Sequence, residues 1–497
     1  MKAPSLLTLL KSGLEATLRD GNPWWRGERE ANLPPMRRWA FDRVVENLER
    51  GLAPITVLRG PRQIGKTTLL KQVIDSLVER GITPARIFRV QFDDLPTLKE
   101  LDEPILELSR WFAENILRKS FNQAAQDGEQ ALILLDEVQN LSGWAPQLKH
   151  LVDLQPVRVI VTGSSALRIE LGRDSLAGRI RTLEMGPLLL REIAEIRGFG
   201  KLPGFLPHNG LAPLRDRQFW INLRHFGETH SQERNLAFQA FSERGAYPVA
   251  QARTDSPWEE IADFLNETVV QRAIKYDLRV GARGTKRDEQ LLAEVFRLAC
   301  RYAGQNTSQS LYINELKHSM NANVGWQRIL AYLKFLDGAL LIRLVEPLEI
   351  RLKKKRGPSK VCLCDHALRA AWLQEVVPLT AAGLEQSPHL SDLAGRIAES
   401  TAGYFLRSLP NLDIAHFPEK GAEPEVDFIL TVGEQRIPVE IKYRRRIDHA
   451  DTFGLRSFIE KAHYNAPFGI LVTLSDDNAS DDPRIVSLPL STLLLLR

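Results

Sequence analysis

Short apolar runs closed by glycine or polar residues recur along the first part of the chain. Ile55-Thr56-Val57-Leu58, Ala85 to Phe92, Ala131-Leu132-Ile133-Leu134-Leu135 and Arg158 to Thr162 read as strands, with the near-continuous apolar character of strands buried on both faces. Between them the period changes to that of a helix. Thr68 to Arg80 carries Leu69, Leu70, Val73, Ile74, Leu77 and Val78; Ile105 to Ala125 and Ala145 to Leu154 are helical by the same criterion. Alternating strands and helices predict a parallel sheet with right-handed crossovers over residues 51–190. Residues 1–50 read as mostly helical, interrupted by Asn22-Pro23-Trp24-Trp25.

The pattern then loosens. Residues 191–287 predict a helical lid with an inserted loop, punctuated by Arg244-Gly245-Ala246-Tyr247-Pro248. Residues 288–356 predict a winged helix: helices over Glu289–Tyr302, Ile313–Met320 and Val324–Leu336, then a strand over Leu340–Val345. The third helix presents Arg328 and Lys334, and the run from Arg351 to Arg356 adds Lys353, Lys354 and Lys355. These are candidate DNA-phosphate contacts; a charge run is otherwise a solvated loop. Residues 357–497 hold a linker and a further α/β domain. There Asp427 opens an apolar strand, Gly433-Glu434-Gln435 turns the chain, and Arg436 to Tyr443 alternates strictly. Ile437, Val439 and Ile441 point one way, and Glu440 and Lys442 the other.

Composition narrows the setting. Hydrophobic residues make up 43% and charged residues 26%, an ordinary soluble balance. No apolar run has membrane-spanning length. A formal net charge of +4 leaves no global basic field, so a nucleic-acid surface has to be local. The 3 cysteines suit a reducing cytoplasm better than a disulfide framework.

The sharpest chemical signal is Gly60-Pro61-Arg62-Gln63-Ile64-Gly65-Lys66-Thr67-Thr68. It fits the phosphate-loop pattern between a strand and a helix N-terminus. Gly60 and Gly65 let backbone N–H groups face phosphate oxygens. Lys66 is expected at the β- and γ-phosphates of ATP, and Thr67 on Mg²⁺. Asp136-Glu137 ends the apolar strand from Ala131, as a Walker B pair does: Asp136 for Mg²⁺, Glu137 for the attacking water. Thr162 is the candidate sensor hydroxyl at the end of the next strand, with a plain strand-to-loop turn as the alternative. Arg179 is the candidate arginine finger, ahead of Arg173 and Arg181.

The second signal is Asp427…Glu440-x-Lys442. A hairpin can place Asp427 beside Glu440 and Lys442, the layout of a restriction-endonuclease-like metal site. Asp427 and Glu440 are candidate Mg²⁺ ligands, Lys442 a catalytic lysine, and Glu399 on an upstream helix a fourth member. Arg444, Arg445 and Arg446 are candidate DNA contacts. An exposed Glu-x-Lys hairpin is the alternative, and such domains also bind DNA without cutting it.

On these stretches, together with Thr162-Gly163-Ser164-Ser165, Leu176-Ala177-Gly178-Arg179 and Arg244 to Pro248, the chain resembles a family of prokaryotic AAA-type P-loop ATPases. Members carry a poorly characterised C-terminal domain of restriction-endonuclease type. The resemblance covers nearly the whole chain. It implies an α/β architecture with an AAA-like core, a central winged helix and a nuclease-fold terminus. Two functions are expected. In one, ATP hydrolysis with Mg²⁺ drives work on duplex or branched DNA such as Holliday junctions, with metal-dependent cleavage, in a cytoplasmic homo-oligomer that forms a ring. In the other, the protein is a nucleotide-dependent switch whose terminal domain only binds DNA or protein.

Overall fold

Five short strands rich in valine, isoleucine and leucine form one parallel sheet in the first part of the molecule. The structure is a computed structural model. It describes residues 12–92, 98, 101–163, 174–207, 210–277, 288–350, 353–354, 357–419, 423–478 and 480–497. The expected features at Ser164-Ser165, Arg173 and Lys355 lie outside the described residues. Contacts divide the chain into two units, residues 1–185 and 186–497.

The first unit begins with helices α1 (Ser12–Asp20) and α2 (Ala40–Arg50). Then come β1 (Ile55–Arg59), α3 (Lys66–Glu79), β2 (Ile87–Gln91), α4 (Pro104–Phe112), α5 (Phe121–Gln126), β3 (Leu132–Asp136), α6 (Trp144–Leu154), β4 (Arg158–Gly163) and β5 (Ile180–Glu184). The sheet order is β2-β3-β4-β1-β5, and every pairing is parallel. The strands β1 and β3 are buried along their whole length, which explains their lack of alternation. Each fully buried Leu, Ile or Val there contributes roughly 1.5–3 kcal/mol.

The helix expected over Ile105–Ala125 is two helices. A π-type turn over Ala113–Leu117 and a left-handed Arg118 (φ 57°) end α4, and Ser120 caps α5 through its side chain. Asn22-Pro23-Trp24-Trp25 forms a 3₁₀ turn against the edge strand β2. Asn22 accepts from the Arg89 N–H at 2.7 Å and donates to the Arg89 carbonyl at 2.9 Å. Both indoles donate to the Ile87 carbonyl, at 3.1 and 2.8 Å. Side chains thus satisfy backbone groups that an edge strand would otherwise expose.

The second unit opens with α7 (Leu190–Ile196), α8 (Arg217–Thr229), α9 (Ser231–Arg244), α10 (Pro248–Ala252) and α11 (Trp258–Leu265). Three helices follow, α12 (Glu289–Arg301), α13 (Gln309–Met320) and α14 (Trp326–Gly338). Next are β6 (Ile342–Val345), β7 (Glu349–Ile350), β8 (Lys353–Lys354) and β9 (Lys360–Leu363). β6 pairs antiparallel with β9, and β7 with β8. The basic run therefore lies in part on a small hairpin strand, β8.

After α15 (His366–Leu373) and α16 (Ala381–Gln386), the long α17 (Ser391–Arg407) leads into β10 (Asp413–Phe417), β11 (Val426–Val432) and β12 (Gln435–Lys442). Then come α18 (Phe453–Ile459), β13 (Gly469–Thr473), β14 (Ile485–Pro489) and α19 (Leu490–Leu493). Strands β10, β11 and β12 are antiparallel, whereas β12, β13 and β14 are parallel, in one sheet of that order. The elements at the two ends of the unit meet: α8 packs on β14 and α19, and α9 on α19. Buried Arg234 on α9 donates to Asp476 at 2.9 Å and to Thr492 at 2.7 Å. No helix among the described residues is long and apolar enough to cross a membrane.

Candidate functional sites

The first site lies at the C-terminal ends of β1, β3 and β4, where open α/β sheets place their ligands. The loop after β1 turns tightly. A Cβ on Gly60 would lie 2.1 Å from the Met185 carbonyl oxygen, so only glycine lets the backbone take this course. Gln63 and Gly65 are both left-handed, with φ of 61° and 89°. The helix α3 starts directly afterwards at Lys66, with Thr67 and Thr68 in its first turn. Buried Arg38 donates to the Ile64 carbonyl at 2.5 Å and braces the loop from outside.

Lys66 is buried and reaches back over the loop. Its ammonium donates to the carbonyls of Pro61 at 2.8 Å and Gly60 at 3.2 Å, and lies 3.7 Å from Glu137 Oε1. Opposite it, fully buried Asp136 is held on both oxygens. The Thr162 hydroxyl donates to Oδ1 at 2.5 Å, and Arg89 donates to Oδ2 at 2.8 Å. The same Thr162 oxygen accepts from the Glu137 N–H at 3.0 Å. Glu137 is left-handed (φ 53°), a conformation that costs a non-glycine residue free energy and that surrounding bonds must enforce. Gln139 donates to Glu137 Oε2. Thr162, expected as a sensor, thus joins Asp136 to Glu137.

Arg89 was not legible as a member of this site. It lies on β2, where Gln91 is the register partner of Asp136; two positions along, Arg89 shares that face. Arg179 pairs with Asp153 at 2.5 and 3.0 Å. The Arg179 guanidinium hydrogen bond holds the Asp153 carboxyl below its ordinary range.

The donor set suits a Mg²⁺-nucleotide. A glycine turn without room for Cβ, a helix N-terminus, a lysine and hard oxygen donors at Thr67 and Asp136 are what polyphosphate and Mg²⁺ require.

The second site lies in the other unit. Glu399 projects from α17, Asp427 from β11, and Glu440 and Lys442 from β12. The antiparallel pairing of β11 with β12 brings Asp427 beside Glu440, and the Ile441 N–H donates to Asp427 Oδ2 at 2.9 Å. Lys442 contacts Glu440 Oε1 at 2.6 Å. Glu440 Oε2 is buried and has no hydrogen-bond partner among the described residues.

One member of the cluster was missed in the sequence. The ammonium of Lys360, on β9, contacts Glu399, lies 3.1 Å from Asp427 Oδ1, and lies 3.6 Å from Glu425 Oε1. It also sits 5.0 Å from the centroid of the Phe428 ring. Lys360 is 1% exposed. Burial favours loss of its proton, but the charges of Glu399, Asp427 and Glu425 outweigh this and raise its pKa. Burial and the Asp427 charge push Glu440 up to about 8, and the same two causes raise Glu399. Asp427 moves down: burial opposes this, but Lys360 and the Ile441 N–H prevail.

Among the described residues, no group of three or more His, Cys, Asp or Glu is arranged to hold a metal ion. The residues expected to bind Mg²⁺ here, Asp427 and Glu440, face ammonium groups, so the set does not fit a metal centre as it stands. Of the expected DNA contacts, Arg328, Lys334, Arg444, Arg445 and Arg446 are all exposed. Arg444 pairs with Asp451 and Arg445 with Glu385, and Arg328 lies 3.6 Å from Asp288. Lys353 and Lys354 form β8.

Two stretches of the chain match family models, and they hold most residues of the two sites, though not Lys360. Residues 53–194 match the model of an AAA domain. Residues 395–493 match a model described as a domain of unknown function (DUF4143). An uncharacterized protein of Mycobacterium tuberculosis is 31% identical over 160 residues, 32% of this chain and 30% of that protein. An uncharacterized protein of Methanocaldococcus jannaschii is 32% identical over 152 residues, 30% of this chain and 29% of that protein. The chain therefore spans about three tenths of the length of these two relatives. An uncharacterized protein of Haemophilus influenzae is 23% identical over 323 residues, 63% of this chain and 68% of that protein. Among solved structures, a Walker-type ATPase of Pyrococcus abyssi aligns with 15% identity and a TM-score of 0.39, covering 69% of this chain and 99% of that one. The first unit carries an AAA-type P-loop domain.

Proposed function

We propose that this chain hydrolyses ATP at the P-loop site and uses that cycle to act on DNA held by its second unit. The observation that carries the first half is the chain of bonds from Arg89 through Asp136 and Thr162 to Glu137. It fixes a carboxylate pair opposite the phosphate loop. Backbone N–H groups and the α3 N-terminus bind the phosphates, Lys66 pairs with the β- and γ-phosphates, and Thr67 and Asp136 hold Mg²⁺. Mg²⁺, when bound, neutralises charge on the transferring phosphoryl group. Glu137 orients the attacking water and accepts its proton. In a homo-oligomeric ring, Arg179 of one copy would leave Asp153 and complete the site of the next.

DNA binding rests on the exposed Arg446 and Lys334, on the arginines beside the carboxylate cluster, and on the three-helix and strand-hairpin order that suits a winged helix. Helix α17, strands β10–β12, helix α18 and strand β13 follow the element order of a restriction-endonuclease-like core. The lysine-filled cluster favours a domain that holds DNA over one that cuts it. The second reading, a nucleotide-dependent switch that recognises protein, draws on the ion pairs already made by Arg444 and Arg445.

The test measures ATPase rate alone and with duplex, branched and single-stranded DNA, with Mg²⁺-dependent nicking of forks and Holliday junctions read on the same samples. Stimulation by DNA without nicking is expected. An ATPase rate indifferent to every DNA favours the switch, and nicking that Asp427→Ala abolishes favours the nuclease.

A further inference from the structure

A carboxylate cluster on a sheet of this shape invites a divalent cation, yet a positive charge from elsewhere in the chain already stands in it. Lys360 belongs to β9, paired with β6 and packed on α17, not to the sheet that carries Asp427 and Glu440. Its ammonium meets Glu399, Asp427 and Glu425 at once. A buried lysine is costly unless paired, so three carboxylates around one ammonium make up a built site. Hard oxygen ligands on a compact cation are also what a divalent metal requires.

We propose that the Lys360 ammonium is the resident cation of this cluster and fills the place of a metal, so that the second unit functions without a divalent ion. Glu440 marks what is left over. Four carboxylates (Glu399, Glu425, Asp427 and Glu440) face the ammoniums of Lys360 and Lys442. Glu440 Oε2 has no partner among the described residues. Removing the charge of Lys360 leaves the cluster with buried, uncompensated carboxylates, and a divalent cation then becomes the species that relieves them. The proposal rests on the nuclease-like reading of the second unit, but its test does not use DNA, so the two can fail separately.

The full chain is titrated with Mn²⁺ in the absence of nucleotide, with bound metal read by electron paramagnetic resonance and unfolding by a thermal melt. Wild type is expected to show no Mn²⁺ site that Asp427→Asn removes. Lys360→Ala is expected to gain a Mn²⁺ site that wild type lacks, and Mn²⁺ should raise its melting temperature. Both gains should vanish in the double variant with Asp427→Asn. Lys360→Gln, which keeps an amide donor in place, serves if Lys360→Ala does not fold. A wild-type Mn²⁺ site lost on Asp427→Asn overturns the proposal, as does a folded Lys360 variant that gains no Mn²⁺. Should neither variant fold, the wild-type titration decides alone.

Discussion

Arg89 and Asp136 form a buried ion pair at 2.8 Å across neighbouring strands. Asp136 is fully buried, and its other oxygen is taken by Thr162. Arg89→Ala therefore strands a carboxylate without its cation, which typically costs about 3–5 kcal/mol. Denaturant unfolding should show this loss, and the double variant with Asp136→Asn should lose less than the two single variants added together. Additive losses would mean that the pair is not coupled.

Thr162→Val removes the oxygen that accepts from Glu137 and donates to Asp136. Nucleotide binding should persist, because the phosphate loop is untouched, while kcat falls by about 10²-fold, the scale for misplacing a catalytic group. Thr162→Ser should restore most of the rate. In the same assay Lys66→Ala should lose ATP binding and Glu137→Gln should bind without turnover. A Glu137→Gln protein with the wild-type rate would remove Glu137 from its role.

The Glu440 carboxyl predicts a pH dependence. Its pKa is raised from 4.5 to about 8 in the folded chain. Below the ordinary value both folded and unfolded chains carry the proton. As pH rises from there towards 8, the unfolded chain releases it first, so stability declines across that window. Glu440→Gln removes this titration. The variant should melt several degrees above wild type at pH 9 and close to it at pH 5. Identical slopes of melting temperature against pH for the two proteins would refute the assignment.

Gly245 is a test of packing. Its φ is 72°, and a Cβ there would lie 2.3 Å from the Ala367 Cβ and 2.4 Å from Asp365 Oδ1. Asp365 also accepts from the N–H groups of Ala246 at 2.6 Å and Ala367 at 3.0 Å. Gly245→Ala combines backbone strain with a steric clash, so it should cost at least ~1–3 kcal/mol. Unfolding monitored on the second unit should reveal it without changing ATP affinity.

Local pattern carried much of the first site and less of the second. The phosphate loop, Asp136, Glu137 and Thr162 each sit where a strand ends, so apolar runs and their terminal residues announce them. Arg89 is invisible in that way, because its role depends on which strand lies beside β3, and that order is not written in β2 itself. Lys360 is hidden for the same reason on a longer scale. It is 39 positions from Glu399 and 67 from Asp427, on a strand of another sheet, and reads in the sequence as one more lysine after a basic run. Trp24 and Trp25 read in the sequence only as an interruption of a helical stretch, because their indole N–H bonds to a strand edge depend on tertiary contact.

The meeting of α8 and α9 with β14 and α19 has a consequence for biogenesis. Synthesis runs from the N-terminus, so residues 1–185 can fold while the rest is still being made. The second unit cannot close so early. Arg234 waits for Asp476 and Thr492, 242 and 258 positions later, and contacts so distant in sequence form slowly. The apolar faces of α8 and α9 therefore emerge from the ribosome long before the strand and helix that cover them. A ribosome that stalls ahead of residue 476 leaves α8 and α9 as an open, aggregation-prone helical segment, so completion of translation is itself a checkpoint on the second unit.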